Sequence, residues 1–229
     1  AAWDQRDSLY VKWGDGAEEY VPRIDWQNLG DDCVVNHYQA AHTYSSSGTY
    51  TISMEDANRN YGVINVPNSV MVPMHIETEL VINPFLGYNN SVQLLNAPLD
   101  RGCVGKLYLH NPSAYDPDGD SLSYKLVPCK GQDGMEIAGY TLPQTSQSFE
   151  IDPITGDLRW DAPVLQGEYN VAIMVEEWRH GVKIGSVVRD MQILISHCDN
   201  DLPQIQCDDH YCLVAGEQLD FVISASDPD

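Results

Sequence analysis

Basic side chains are scarce in this chain. Lys and Arg total 12 against 34 Asp and Glu, a formal net charge of −22 over 229 residues. A nucleic-acid partner or an anionic membrane would be repelled along most of such a surface. Long apolar runs are missing as well. No stretch approaches the ~20 apolar residues that a membrane span requires, so membrane insertion is not expected of this sequence. Residues 1–15 are polar and acidic and lack the basic and apolar regions of a secretory leader. An exported form would have lost that signal or carry it upstream. Cysteine is sparse, six in all, too few for a small disulfide scaffold but an even number that suits an oxidising compartment. Catalytic signatures are missing too: there is no Ser/His/Asp order, phosphate-cradling Gly-rich loop or nucleophile elbow. Glu176 and Glu177 are adjacent, so on a strand they face opposite sides and do not make a glycosidase pair. A non-enzymatic protein is expected.

What is present reads as β-structure. Short alternating or β-branched runs recur at Leu9–Trp13, Thr49–Met54, Leu107–Leu109, Leu122–Val127, Tyr169–Val175 and Val187–Ile195. Turn chemistry separates them, as at Gly14-Asp15-Gly16, Ser47-Gly48, Asp118-Gly119-Asp120, Thr155-Gly156-Asp157 and Arg179-His180-Gly181. That spacing predicts antiparallel sandwiches. No helical stripe exceeds a couple of turns.

One segment carries chemistry. Ala114-Tyr115-Asp116-Pro117-Asp118-Gly119-Asp120 places carboxylates at alternate positions around a Pro and a Gly, and its opening returns as Ala225-Ser226-Asp227-Pro228-Asp229, 111 residues later. Alternating carboxylates can wrap a hard cation such as Ca²⁺, and Asp116, Asp118 and Asp120 match the first three ligand positions of an EF-hand loop. The twelfth position of that loop, where an acidic residue should close it, is Val127. The remaining oxygens must come from other segments. The competing reading is an Asx-turn whose Asp side chains accept backbone N–H bonds without metal.

The repeat length is roughly one immunoglobulin-like sandwich. It places boundaries near Asn83-Pro84 and near Cys198–Pro203, where Pro and polar residues suggest linkers. Three modules follow: residues 1–82, 83–197 and 198–229. Among the cysteines, Cys103 and Cys129 flank the Asp116 motif and are the expected pair. Cys212 has Cys198 or Cys207 as partner, and Cys33 has none obvious. A zinc site at Cys207, His210 and Cys212 has no recognisable spacing. Trp13, Trp160 and Trp178 read as core anchors, whereas Trp3 and Trp26 could be buried or exposed.

Two families are resembled. Trp13-Gly14-Asp15-Gly16 with His42-Thr43-Tyr44 and Gly48-Thr49-Tyr50 looks like a polycystic-kidney-disease (PKD) domain, truncated at its N-terminus. Residues 105–195 resemble a bacterial, dystroglycan-type cadherin-like module, through the Asp116 motif, Phe149–Trp160 and Gly167–Val171. The order of the two, with Glu177-Trp178-Arg179 and Arg189-Asp190-Met191-Gln192, is similar to large Bacteroidetes surface proteins associated with gliding motility and type IX secretion. The resemblance implies tandem immunoglobulin-like β-sandwiches, PKD-like then cadherin-like, with the start of a third, and with both ends cut inside a domain. It also implies linker oxygens. Asp199, Asn200 and Asp201 would share a cation with Asp227 and Asp229, and Asp116, Asp118 and Asp120 would join oxygens near Asn83, Asn89 or Asn90. The function expected is a Ca²⁺-stiffened spacer or adhesin array, secreted or on the cell surface. Its partners would be neighbouring immunoglobulin-like domains, surface glycans or other cell-surface proteins. The alternative is an accessory β-sandwich, carbohydrate-binding or not, of a secreted polysaccharide-degrading or proteolytic enzyme.

Overall fold

The computed structural model describes residues 6–30, 33–199, 203–208 and 210–227. Among these the chain is all-β, with two 3₁₀ turns and no α-helix. It divides into two compact units, one ending at Ser196 and the other starting at His197. The strands of the first are β1 (Ser8–Lys12), β2 (Glu18–Gly30), β3 (Cys33–Tyr38), β4 (Gly48–Asp56), β5 (Met74–Ile82), β6 (Gln93–Leu94) and β7 (Leu99–Cys103). They continue with β8 (Tyr108–His110), β9 (Ala114–Tyr115), β10 (Ser121–Val127), β11 (Phe149–Ile151), β12 (Leu158–Trp160), β13 (Gly167–Arg179) and β14 (Val182–Ser196). The second unit contributes β15 (Gln204–Gln206), paired antiparallel with β16 (Ser224–Ser226).

A large sheet runs in the order β10-β13-β14-β5-β4-β1-β2-β3, with β7 added parallel to β14. β11, β12 and β8 make a second sheet, and β6 with β9 a small ribbon. β5 ends at Ile82, beside the boundary expected at Asn83-Pro84. Thr78, Glu79 and Leu80 nevertheless pair with Val187, Ser186 and Gly185 of β14, so the sheet continues across that point.

The core follows from strand periodicity, since alternate residues face one side. Tyr169, Val171, Ile173 and Val175 of β13 and Met191, Ile193 and Ile195 of β14 are buried on one face. Against them lie Tyr108, Leu158 and Trp160 of the three-stranded sheet. Trp160 is fully buried; its ring meets Tyr169 edge-on at 4.9 Å and Phe149 at 5.5 Å, and its Nε1 donates to Gln144 O. Such edge-to-face contacts add to the burial energy.

The opposite face of β13 and β14 is covered by irregular chain, and here polar groups do the fastening. Asn65 Nδ2 donates to Asn170 O at 2.7 Å and Asn65 Oδ1 accepts from Asn170 N at 2.9 Å. Ile64 N donates to Glu168 O, so this segment pairs with β13 beyond Val127, where β10 ends. Arg59 makes a two-pronged ion pair with Asp190 at 2.9 and 2.6 Å, both side chains almost wholly buried.

The N-terminal strands bury little, and Val21 is the one buried residue among the described residues of β1 to β3. A ladder of rings stands in for a core there. Trp13 stacks on His42 at 4.8 Å, His42 meets Tyr44 edge-on, and Tyr44 stacks on Tyr50 at 4.1 Å. Gly14 makes the turn possible: its φ is +83° and a Cβ there would lie 2.6 Å from the Thr51 carbonyl oxygen.

The expected cysteine pairing is corrected. In the first unit Cys103 is disulfide-bonded whereas Cys129 is a free thiol, and in the second Cys198 is disulfide-bonded whereas Cys207 and Cys212 are free. Cys129 is fully buried against Tyr140 and Asp190, beneath the polar covering of β14. Cys103 ends β7 beside Ser196, six residues along β14 from Asp190, and that separation of roughly 20 Å is far beyond the span of a disulfide. Flanking the same motif in sequence carries no information about where along the ladder each thiol sits.

Candidate cation site

β9 delivers the chain into the Asp116–Asp120 turn and β10 takes it out. Asp116 is buried, and its Oδ1 accepts the amides of Asp118 at 2.9 Å and Asp120 at 3.0 Å. Gly119, with φ of +79°, turns so that its amide reaches Asp116 O. This is Asx-turn geometry. It satisfies one carboxylate oxygen only: Asp116 Oδ2 is buried without a hydrogen-bond partner. A buried carboxylate oxygen without a donor is costly, and a cation is one group that would satisfy it. One carboxylate oxygen each from Asp116, Asp118 and Asp120 lie within 4.8 Å of one another.

The Asn83–Val92 segment closes over this turn. Asn90 donates to Asp118 twice, from N at 2.7 Å and from Nδ2 at 2.8 Å. Those bonds, the backbone one foremost, with Arg179 nearby, hold the Asp118 carboxyl below its usual value. Asn83 is not part of the cluster, because its Oδ1 accepts from Phe85 N within its own turn. Asn89 and Asn90 are.

Two further residues complete the site from the end of β13. Arg179 makes a two-pronged bond to Asp120, Nε to Oδ1 at 2.9 Å and Nη2 to Oδ2 at 2.6 Å, and reaches Asp118 at 3.3 Å. Glu177 is fully buried. Its carboxylate accepts from Asn89 Nδ2 at 3.0 Å and from Val92 N. Burial pushes its carboxyl above the usual range, and the charges of Asp116 and Asp120 push the same way. Gly185 lies opposite Glu177 across the ladder, and a Cβ there would collide with the carboxylate. Glu176 faces outward to Lys125 at 2.8 Å, so the two glutamates do not act together.

Sequence reasoning placed the three aspartates and two of the three asparagines together but missed Glu177 and Arg179. Both continue the odd-numbered register of Tyr169, Val171, Ile173 and Val175 on β13, which aims them inward. Asp199 and Asp227 are exposed in the second unit. Neither belongs to a cluster of three potential ligands among the described residues. Asn200, Asp201 and Asp229, like Trp3, lie outside the described residues.

No described helix is long and apolar enough to cross a membrane. Compared with known proteins, the chain matches no family model, no curated protein and no solved structure.

Proposed function

We propose that this chain is a non-catalytic, Ca²⁺-stiffened segment of a long extracellular or cell-surface protein, built of PKD-like and cadherin-like immunoglobulin-type sandwiches. The observation that carries this reading is the orphaned, buried Oδ2 of Asp116 inside a turn whose other carboxylates stand within 4.8 Å. Asp116, Asp118 and Asp120 would hold the ion, with Asn89 supplying a neutral oxygen, a donor set of the oxygen-only kind that Ca²⁺ prefers. The ion would bring positive charge to a place where four carboxylates, counting Glu177, face one guanidinium. The same reading assigns Asp199, Asn200 and Asp201 with Asp227 and Asp229 to a second site. The disulfide-bonded state of Cys103 supports an oxidising location.

The mechanism is linkage: an ion that binds only the ordered turn stabilises it, by about 2.7 kcal/mol at a hundredfold excess over Kd. Melting temperature and X-ray scattering in CaCl₂ and in EDTA test this. A higher melting temperature and a longer, stiffer particle are expected with Ca²⁺, and Asp116→Ala with Asp118→Ala should abolish both. An unchanged melt on chelation would sink the proposal. A second reading, glycan contact by an accessory domain, draws on the half-exposed Trp26 of β2. Loss of glycan-array signal in Trp26→Ala would favour it.

A further inference from the structure

Arg179 occupies the middle of the cluster with every N–H engaged. Nε and Nη2 hold Asp120. Nη1 donates to Leu86 O at 2.7 Å and Tyr88 O at 2.8 Å, and Nη2 also meets Asn89 Oδ1 at 3.2 Å and Asp118 Oδ2 at 3.3 Å. Two backbone carbonyls, one amide oxygen and two carboxylates are the ligand types of a calcium site. Here a guanidinium fills them.

We infer that Arg179 is a resident cation that competes with the divalent ion for these oxygens, keeping the Leu86–Asn90 segment in place without the ion and lowering the affinity with which the ion binds. This rests on the cation reading above and adds its regulation. The competition is forced by the hydrogen-bond inventory. Asp118 gives both oxygens to Asn90, Asp120 gives both to Arg179, and Asp116 alone has an oxygen without a donor. An ion seated on Asp116 needs 6–8 oxygens, and the carboxylates within 4.8 Å of that of Asp116, those of Asp118 and Asp120, are both bound by Arg179. A guanidinium and a divalent ion sharing these ligands would also repel each other. Uptake is therefore an exchange of one cation for another, and the Phe85–Tyr88 stretch, whose two aromatic side chains are almost fully exposed, stays anchored in both states.

Calorimetric titration of CaCl₂ into the wild-type chain, Arg179→Gln and Asp116→Asn tests the exchange, together with amide hydrogen exchange of residues 86–90 in EDTA and in CaCl₂. Arg179→Gln should bind at least tenfold more tightly. Its 86–90 amides should exchange faster than wild type in EDTA and recover protection with Ca²⁺, while the wild-type amides are protected in both. Asp116→Asn should not bind. Equal or weaker binding by a folded Arg179→Gln, with wild type binding, overturns the competition and leaves the cation site standing. Absence of binding by both, or retained binding by Asp116→Asn, overturns the cation site and the competition with it. If Arg179→Gln does not fold, Arg179→Lys carries the test. An ammonium cannot make the two-pronged bond to Asp120, so tighter binding than wild type is expected, and unchanged affinity overturns the inference.

Discussion

Asp116 uses its two oxygens for different ends, one to shape its own turn and one left without a donor. The same division between shaping and responding recurs at Asp100. Burial pushes its carboxyl upward, yet His110 Nδ1 at 2.7 Å, the Arg101 amide and the Tyr108 hydroxyl at 3.1 Å hold it below its usual value of 3.8. A carboxyl lowered in the folded state contributes stability that is present above its unfolded pKa and lost as pH falls through the folded one. Asp100→Asn should therefore lower stability near pH 7 by about 1–2 kcal/mol. The deficit against wild type should narrow below about pH 3.8, as urea denaturation at each pH would read out. A constant deficit at all pH values would refute the role of the charge. At this scale the aspartates were legible because alternation around Pro and Gly is a local code. Arg179 was not, since it lies 59 residues from Asp120 and only the pairing of β10 with β13 brings it there.

Among elements, β13 and β14 organise the rest, one face packed with rings and aliphatics, the other sealed by polar chain. Arg59 and Asp190 are the strongest fastening on that second face. Removing one partner of a buried pair leaves the other charge without compensation, so Arg59→Ala should cost about 3–5 kcal/mol in urea unfolding. A loss below about 1 kcal/mol would mean the pair behaves like an exposed one. The runs read from sequence at Leu9–Trp13, Thr49–Met54, Leu122–Val127, Tyr169–Val175 and Val187–Ile195 fall on β1, β4, β10, β13 and β14. On β10, β13 and β14 the apolar residues alternate because one side meets a core. β2 escaped notice for the converse reason: thirteen residues long, it buries Val21 alone and so has no alternation to display. The cysteine pairing escaped because it depends on where along the sheet each thiol sits, and a spacing does not say.

For the whole molecule, a net charge of −22 sets the background against which every local contact works. Like charges repel in the compact state, and the Debye length shrinks from about 30 Å at 0.01 M salt to about 8 Å at 0.15 M. In EDTA, the melting temperature should rise as NaCl is added over that range, and equal ionic strength supplied as CaCl₂ should raise it further. A melt that falls with NaCl would show that attractive pairs, not the net charge, dominate the balance. The all-β class was legible across the chain, because turn residues punctuate it at regular intervals. The continuous sheet from β10 to β3 was not, since it is joined through three residue pairs between β5 and β14 that leave no mark in either strand's own pattern.

The sealed thiol of Cys129 gives the fold a built-in clock. Burial pushes it far above the ordinary thiol range and leaves it no solvent-exposed surface, so an alkylating reagent reaches it only when the covering chain lifts from β14. Cys207 and Cys212 are exposed and react at once. The delay between the two, followed peptide by peptide, times the opening of the Arg59–Asp190 clasp without any label being engineered in.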